Sequence, residues 1–589
     1  VRTATSPSGW HAFFTYRYDE RGDLVEATDA EGHVCRYAYD EEHRLVTHAY
    51  RSGLVVHYRY DREGRCIETW GEYPAQEDPS LAAGVPAFLA DGVTRARGIF
   101  HCKLEFSGDG YSEVADSLRV RRFFGNKHGK VDRSTWGAGV LSHEYDPLGN
   151  ILAFRDAMGA TTRFERDAAG RITAVVDPLG RRTQYAFDDR GALTELVRAD
   201  GSALRYTRDD LGNLLAVEDR RGAIVMYDYD ERGLVSVATL PNGGVTRFEH
   251  DAHGNRTAVI EPNGARKTIS YDDLGRVVAY IDALGAVTRY AYDARGLLRT
   301  VSDPAGGVTT FEFDAEGRLA RIVDAARRVG RLTWGGLNVL CEVQHDGAGP
   351  IRYRYDREGH LIEVHNERGQ IHRFVRSLAG HVIREELMDG RSHDFQRDLF
   401  GRLTQWRSST GELVEYEYDA TGQLIKRIYD DGAEEFTYDE VGRLIGARTP
   451  DTECYLTYDE RGCLVKEEQI TLGVRHTIEA VYDSMGRRTR RVSSLGYVEH
   501  MHRDIMGKIA RIALGRRLWT STTTRWVASG RPSFRAAGAF STTSIRPVAS
   551  PSGASSPRRR APRLDRASRS GLAPLRTGSF QTRSIVTPL

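Results

Sequence analysis

Proline and cysteine are sparse in this 589-residue chain, with 18 of the first and six of the second. No run approaches the ~18 apolar residues a membrane-spanning helix needs, and no charged-then-apolar leader is visible ahead of the first patterned segment. The cysteines (Cys35, Cys66, Cys102, Cys341, Cys454, Cys463) include no C-x-x-C pair, which argues against a structural zinc module. Cys454 and Cys463 are near enough in sequence for adjacent strands to bring them together, although incidental buried or free thiols also explain the set. No G-x-S-x-G, P-loop or H-E-x-x-H is found, so the common nucleophile, phosphate and zinc-hydrolase motifs are missing. Excess charge is missing too: 83 Lys+Arg stand against 82 Asp+Glu, net +1, which taken alone speaks against a nucleic-acid partner. What is abundant is glycine, at 60 residues, with 28 tyrosines and 40% apolar content. That composition excludes full disorder and argues against a helical bundle.

Internal periodicity organises the chain. The segments YRYDERG ending at Gly22, YRYDREG at Gly64, YAYDARG at Gly296 and YEYDATG at Gly422 share one aspartate. It recurs every 21 residues from Asp19 through Asp40 and Asp61, and again from Asp146 to Asp419, before the step wavers at Asp439, Asp459, Asp483 and Asp504. Of 21 such positions 19 are aspartate; Gly335 and Ser377 are the exceptions. Glycine follows three residues later except where His43 and Asn338 stand. D-x-x-G is the signature of a type I turn closed by a left-handed residue, a common hairpin connection, and asparagine is the ordinary second choice for that conformation. The candidate structural residues are therefore turn pairs: Asp19 with Gly22, Asp61 with Gly64, Asp167 with Gly170, Asp188 with Gly191 and Asp230 with Gly233. Farther along come Asp293 with Gly296, Asp314 with Gly317, Asp356 with Gly359, Asp419 with Gly422 and Asp439 with Gly442.

Before each aspartate aromatics alternate with polar residues, as in Tyr290-Ala291-Tyr292 and Phe311-Glu312-Phe313, the period of a strand with one covered face. Five residues after it an aliphatic residue such as Leu24, Ile151, Val277 or Leu298 opens the next strand. A second turn follows about ten residues on, as at Asp156–Gly159, Asp177–Gly180, Asp282–Gly285 and Asp303–Gly306. Each unit is strand, turn, strand, turn, with strands of about seven residues expected. One unit cannot bury its aromatic face, whereas many in series can.

The pattern Y-x-Y-D-x-x-G-R-L, clearest in TYDEVGRLIGA and YRYDREGHLIE, resembles the YD repeats of the Rhs family. The resemblance runs from about residue 14 to 515. It implies an all-β fold: an antiparallel YD-repeat ribbon spiralling into part of a hollow β cocoon, as in toxin-complex shells and teneurins. In bacteria such cocoons enclose a variable C-terminal toxin, often delivered by a type VI secretion apparatus. Rhs cores typically end in a plug with an aspartate-based self-cleavage site of the D-P-x-G-L kind. The in-frame matches, Asp146–Gly149 and Asp177–Gly180, lack the leucine and are ordinary turns, so no catalytic residue is assigned.

Two stretches depart from the repeat. Between Asp61 and Asp146 an inserted loop carries Pro74, Pro79 and Pro86, followed by the strand-like runs HCKLEFSG and SLRVRRFFGN. Residues 516–589 hold 14 arginines, one acidic residue (Asp565) and no tyrosine or lysine. A basic arm or a solvated linker would have this composition, but a frameshift near Gly515 fits better. With GC-rich codons, the DNA for Thr523–Trp526 reads Tyr-Asp-Ala-Leu-Gly when shifted, and that for Thr542–Ala549 gives a second YD turn; both fall within one residue of the register projected from Asp504. The tail carries +13 and the remainder −12, so the apparent neutrality joins an acidic array to a segment of different origin.

Aspartate-and-glycine repeats bind calcium in some β-helices, but one aspartate followed by arginine or leucine offers too few of the six to eight oxygens required. His500 and His502 lie two apart with no third ligand nearby, and carboxylate neighbours such as Asp188-Asp189, Asp272-Asp273 and Asp430-Asp431 sit in or beside turns, their side chains on opposite faces. The expected domains are 1–70, YD repeats; 71–141, irregular insertion; 142–515, the main array; and 516–589, the basic tail. The chain opens at Val1 and is read as N-terminally incomplete, or as starting at a codon read as valine. The expected function is a non-enzymatic shell segment of an Rhs-type polymorphic toxin, without cofactor or metal. Its own C-terminal toxin is the partner, type VI tip components a further one, and nucleic acid none. The shell would be cytoplasmic before export, then secreted or delivered. Alternatives are a carbohydrate- or cell-surface-binding module and a truncated or decayed gene product.

Overall fold

The computed structural model describes residues 2–6, 9–136, 139–336 and 338–516. The tail 517–589, and with it the frameshift reading, lies outside the described residues. Among the described residues the fold is all-β, with 47 strands and no helix. Each strand pairs antiparallel with the one before and the one after it in sequence, so one ribbon accounts for the array. Even Cys66–Glu72 and Ile99–Phe106, separated by the loop 73–98, are ladder neighbours. Of the insertion only this loop leaves the sheet; both strand-like runs contribute strands, Ile99–Phe106 and Val120–Gly125.

The regular strands are shorter than seven residues, for instance Val287–Tyr292 with six and Leu298–Ser302 with five. The difference lies in the hairpin joining them. Ala291 faces Thr300, but Tyr292 faces Leu298, so Arg299 is left over as a β-bulge. The same shift follows Glu312 and Arg354, whereas ladders joined by second turns run without one. A bulge at every YD turn adds local twist and bends the strand, a regular source of curvature for a long ribbon.

The wall is a single layer with unlike faces. On one, Tyr185 faces Leu196, Phe248 faces Val259, Tyr290 faces Val301 and Phe311 faces Ile322, all half-buried. Alternate residues on the other face, such as Arg289 and Ala291, are exposed, and there cross-strand ion pairs link Arg205 to Glu195 and Arg352 to Glu342, both at 3.0 Å. Fully buried side chains are few. A cluster of Leu54, Val56 and Ile99, flanked by Tyr58, Tyr73 and Phe100, forms where the insertion meets the sheet. Burying each of these aliphatic side chains contributes about 1.5–3 kcal/mol, so stability elsewhere rests on ladders and half-buried stacks.

Candidate functional site

The smallest built unit is the turn. In all ten pairs named from the sequence, the glycine N–H donates to the carbonyl of the aspartate three residues before it, at 2.9–3.2 Å. Gly22, Gly64, Gly359 and Gly422 close their turns in this way, and so do Gly170 on Asp167, Gly191 on Asp188 and Gly233 on Asp230. Gly317 on Asp314 and Gly442 on Asp439 do the same, each at 3.0 Å. At Asp293–Gly296 the Asp293 carboxylate also accepts from the N–H groups of Arg295 (3.0 Å) and Leu297 (2.8 Å), and Gly296 has φ +87°. His43 and Asn338, which replace glycine, take φ 62° and 72°. The second turns repeat the geometry: Asp156 accepts from Gly159, Met158 and Ala160.

The residue after the glycine completes the unit. Arg276 Nε donates to Asp272 Oδ2 at 2.7 Å, and Arg171, Arg318 and Arg402 do the same in their repeats. Asn150, Asn213 and Asn255 substitute through their amides, and His360 through Nδ1. Both carboxylate oxygens thus serve the aspartate's own turn, which leaves little for a cation. Among the described residues no group of three or more His, Cys, Asp or Glu is arranged to hold a metal. The six thiols are unbridged; Cys454 lies opposite Gln469 and Ala447 rather than Cys463. Burial pushes Cys102 and Cys341 up to about 11, which disfavours the reactive thiolate.

Repeats are tied by the second tyrosine of Y-x-Y-D. The Tyr292 hydroxyl donates to the Val277 carbonyl at 2.8 Å, and Arg276 lies over its ring, 4.7 Å from the centroid. Tyr60, Tyr229, Tyr355 and Tyr418 make the same bond to a carbonyl 15 residues back. Where tyrosine is replaced, Trp334, Arg166, Arg376 and Arg397 donate to the equivalent carbonyl. The recurring Gly-Arg and Gly-Asn dipeptides and these replacements are the sequence signals for the two tethers.

The feature with no local signal is a seam. The ribbon winds back on itself, and second turns of one coil meet YD turns 238–266 residues later. Arg295 pairs with Glu31 at 3.1 Å, and the Ser52 N–H donates to Glu316 at 2.7 Å. Farther on, Arg181 donates to Gln423 (3.0 Å), Arg443 pairs with Asp200 (3.1 Å) and Arg221 with Glu460 (3.2 Å). The exposed pair Arg221–Glu460 is of a kind that contributes ~0.2–1 kcal/mol, whereas Arg295–Glu31 and Arg443–Asp200 are partly buried. The two coils slip where the strands Leu464–Thr471 and Val474–Tyr482 lengthen the upper one. Arg221 meets Glu460, but Asn242, 21 residues on, meets Ile505. A cavity of about 660 Å³, lined by Arg198, Asp200, Arg221, Arg443, Arg461 and Met485 among others, opens at the slip.

At one place the seam is fastened by main chain. Tyr355 N–H donates to Ser80 O (2.8 Å), Ala82 N–H to Tyr355 O (2.9 Å) and Phe100 N–H to Arg357 O (2.8 Å). Arg357 Nε donates to Pro86 O at 2.9 Å, its Nη1 reaches Gly98 O, and the Ser117 N–H donates to Glu358 at 2.9 Å. Burial, with Asp116 and Asp356 nearby, raises the Glu358 carboxyl above the ordinary range against the opposing pull of Ser117. Behind this clasp the buried His101 accepts the Arg97 N–H on Nδ1 and meets Glu68 through Nε2, both at 3.0 Å. Burial holds it below the usual histidine value although Glu68 pulls upward.

A family model described as RHS Repeat matches residues 39–69, 145–182, 166–203, 187–224, 229–266, 271–308 and 292–329. A second, Teneurin YD-shell, matches 388–511. No curated protein matches the chain. Similar solved structures include the TcdB2-TccC3 complex, 14% identical with a TM-score of 0.58, covering 88% of this chain and 38% of that one. The Photorhabdus luminescens Tc holotoxin pore gives 13% identity and a TM-score of 0.53, covering 87% of this chain and 37% of that one. This chain thus spans little more than a third of those chains, and the likeness is one of fold. With the 21-residue unit, the single ribbon and both family models in agreement, the chain is an Rhs-family YD-repeat protein.

Proposed function

We propose that this chain is a wall segment of a bacterial Rhs-type polymorphic toxin: a non-enzymatic scaffold that encloses a C-terminal toxin polypeptide for use against competing cells. In this reading it is made in the cytoplasm and then secreted or delivered, with type VI tip components among its partners. The observation that carries it is the one-layer wall, whose aromatic and aliphatic face has, among the described residues, no second layer of sheet or helix over it. A continuous apolar face of this extent calls for something to cover it. An enclosed polypeptide meets that need, and the opposite face, with its cross-strand ion pairs, suits solvent. Likeness to a structure titled as a Tc holotoxin pore supports the same reading. The carbohydrate-binding alternative is less well supported, since the repeat tyrosines use their hydroxyls on backbone carbonyls and lie half-buried. Protease protection tests the proposal. The toxin polypeptide encoded beside this gene, co-expressed with the chain and its neighbouring shell parts, should resist digestion while the free polypeptide does not. Equal digestion rates would refute enclosure, and specific saturable binding on a glycan array would favour the alternative.

A further inference from the structure

Two kinds of joint hold the wall. Along the ribbon every strand is joined to the next by a backbone ladder. Across the seam most joints are side chains meeting between turns, such as Arg295 with Glu31, Arg443 with Asp200 and Arg221 with Glu460. Such contacts are screened by salt and separate without disturbing any strand pairing. The slip near residues 459–505 shows that the coils need not stay in step: 21 residues of one face more than 40 of the other. Against this, the Tyr355–Gly359 turn is held by main-chain bonds from residues 80, 82 and 100 and by Arg357 and Glu358. The loop 73–98 has no place in the antiparallel ladder, and it meets this turn through Ser80, Ala82, Pro86 and Gly98.

We propose that the wall parts along the seam between coils, and that the loop 73–98, closed on Tyr355 and Arg357, is the latch that keeps it shut. What parting would achieve, the entry or exit of contents, rests on the shell reading; the parting does not. A latch of this design localises opening to a line of turns and leaves the ladders, hence the fold, intact on either side.

The test is hydrogen exchange and small-angle scattering on the full chain. Arg357→Ala removes the bonds to Pro86 and Gly98. Exchange in peptides 80–100 and 353–358 should then be roughly tenfold faster, the change expected when local opening becomes easier. Peptides 298–313, which make no seam contact and lie within the ribbon, should be unaffected. Arg295→Glu, which sets like charges against Glu31, should enlarge the radius of gyration when combined with Arg357→Ala, with the far-ultraviolet spectrum unchanged, and adding Glu31→Arg should reverse the enlargement. Unchanged exchange in the latch peptides would overturn the proposal, as would equal acceleration within 298–313 or an enlargement that Glu31→Arg leaves in place. Protease protection of an enclosed polypeptide is a separate readout, so failure of either idea is visible without the other.

Discussion

Tyr292 and Val277 stand 15 residues apart in sequence, and a hydroxyl-to-carbonyl bond of 2.8 Å joins them from one repeat to the preceding one. Val277 pairs with Tyr271 beside the bulge of its own hairpin, so the bond fastens the one irregular spot in an otherwise even ladder. Tyr292→Phe should cost about 1 kcal/mol, the usual net worth of a hydrogen bond. Tyr292→Arg should cost less, because arginine does this work at positions 166, 376 and 397. Chemical denaturation of the three proteins checks it; equal losses for Phe and Arg would count against the tether.

Gly285 adopts φ +83° with open space around the position of an added Cβ. Conformation alone therefore decides what it tolerates. Gly285→Asn should be mild, following Asn338, whereas Gly285→Val should cost about 1–2 kcal/mol, the penalty for a side chain in left-handed backbone. Melting temperatures of the two variants should differ in that order.

Asp314 accepts the N–H groups of Glu316 and Arg318 on one oxygen and Arg318 Nε on the other. Asp314→Ala removes all three bonds and should cost about 2 kcal/mol or more. Because both oxygens are engaged within the turn, millimolar calcium or a chelator should leave the melting temperature of the parent protein unchanged. A calcium-dependent rise in melting would show that the turns open to bind cations.

Two groups shifted by burial give the clasp opposite pH dependences. His101 is held below the ordinary ~6.5 by burial, so its contribution is full above that value and is lost as pH falls through its folded value. Glu358 is raised by burial, then by Asp116 and Asp356. Its contribution is full below the ordinary ~4.3 and is lost as pH rises through its folded value. Glu358→Gln should flatten the loss that sets in as pH rises above ~4.3 and leave in place the one that sets in as pH falls below ~6.5. A variant that retains the first loss would assign it to another group.

Much of the local structure is legible in the sequence because each repeat states it afresh. D-x-x-G fixes the turn, His43 and Asn338 confirm its backbone by exception, and Leu24, Ile151, Val277 and Leu298 each begin a strand. Strand length is not legible, because a bulge leaves no mark of its own: Arg299 looks like any strand residue. The Arg276-to-Asp272 bond is also on view, as a recurring Gly-Arg, but aspartate and glycine suffice to explain a turn, so nothing prompts a search for a third partner. The seam and its clasp are beyond reach for another reason. Arg357 and Pro86 are 271 residues apart, and no local period relates them.

Because each seam joint links two particular turns more than 230 residues apart, the chain carries a long-distance constraint on its own copy number. Tandem 21-residue units invite unequal recombination, which adds or removes whole repeats without harming any hairpin. Yet one repeat gained between residues 146 and 293 would carry Arg295 a full turn past Glu31, and Arg357 past the carbonyls of Pro86 and Gly98. Lineages of this gene should therefore vary freely in the residues of a repeat, while the count of repeats separating the loop 73–98 from the turn it grips stays the same.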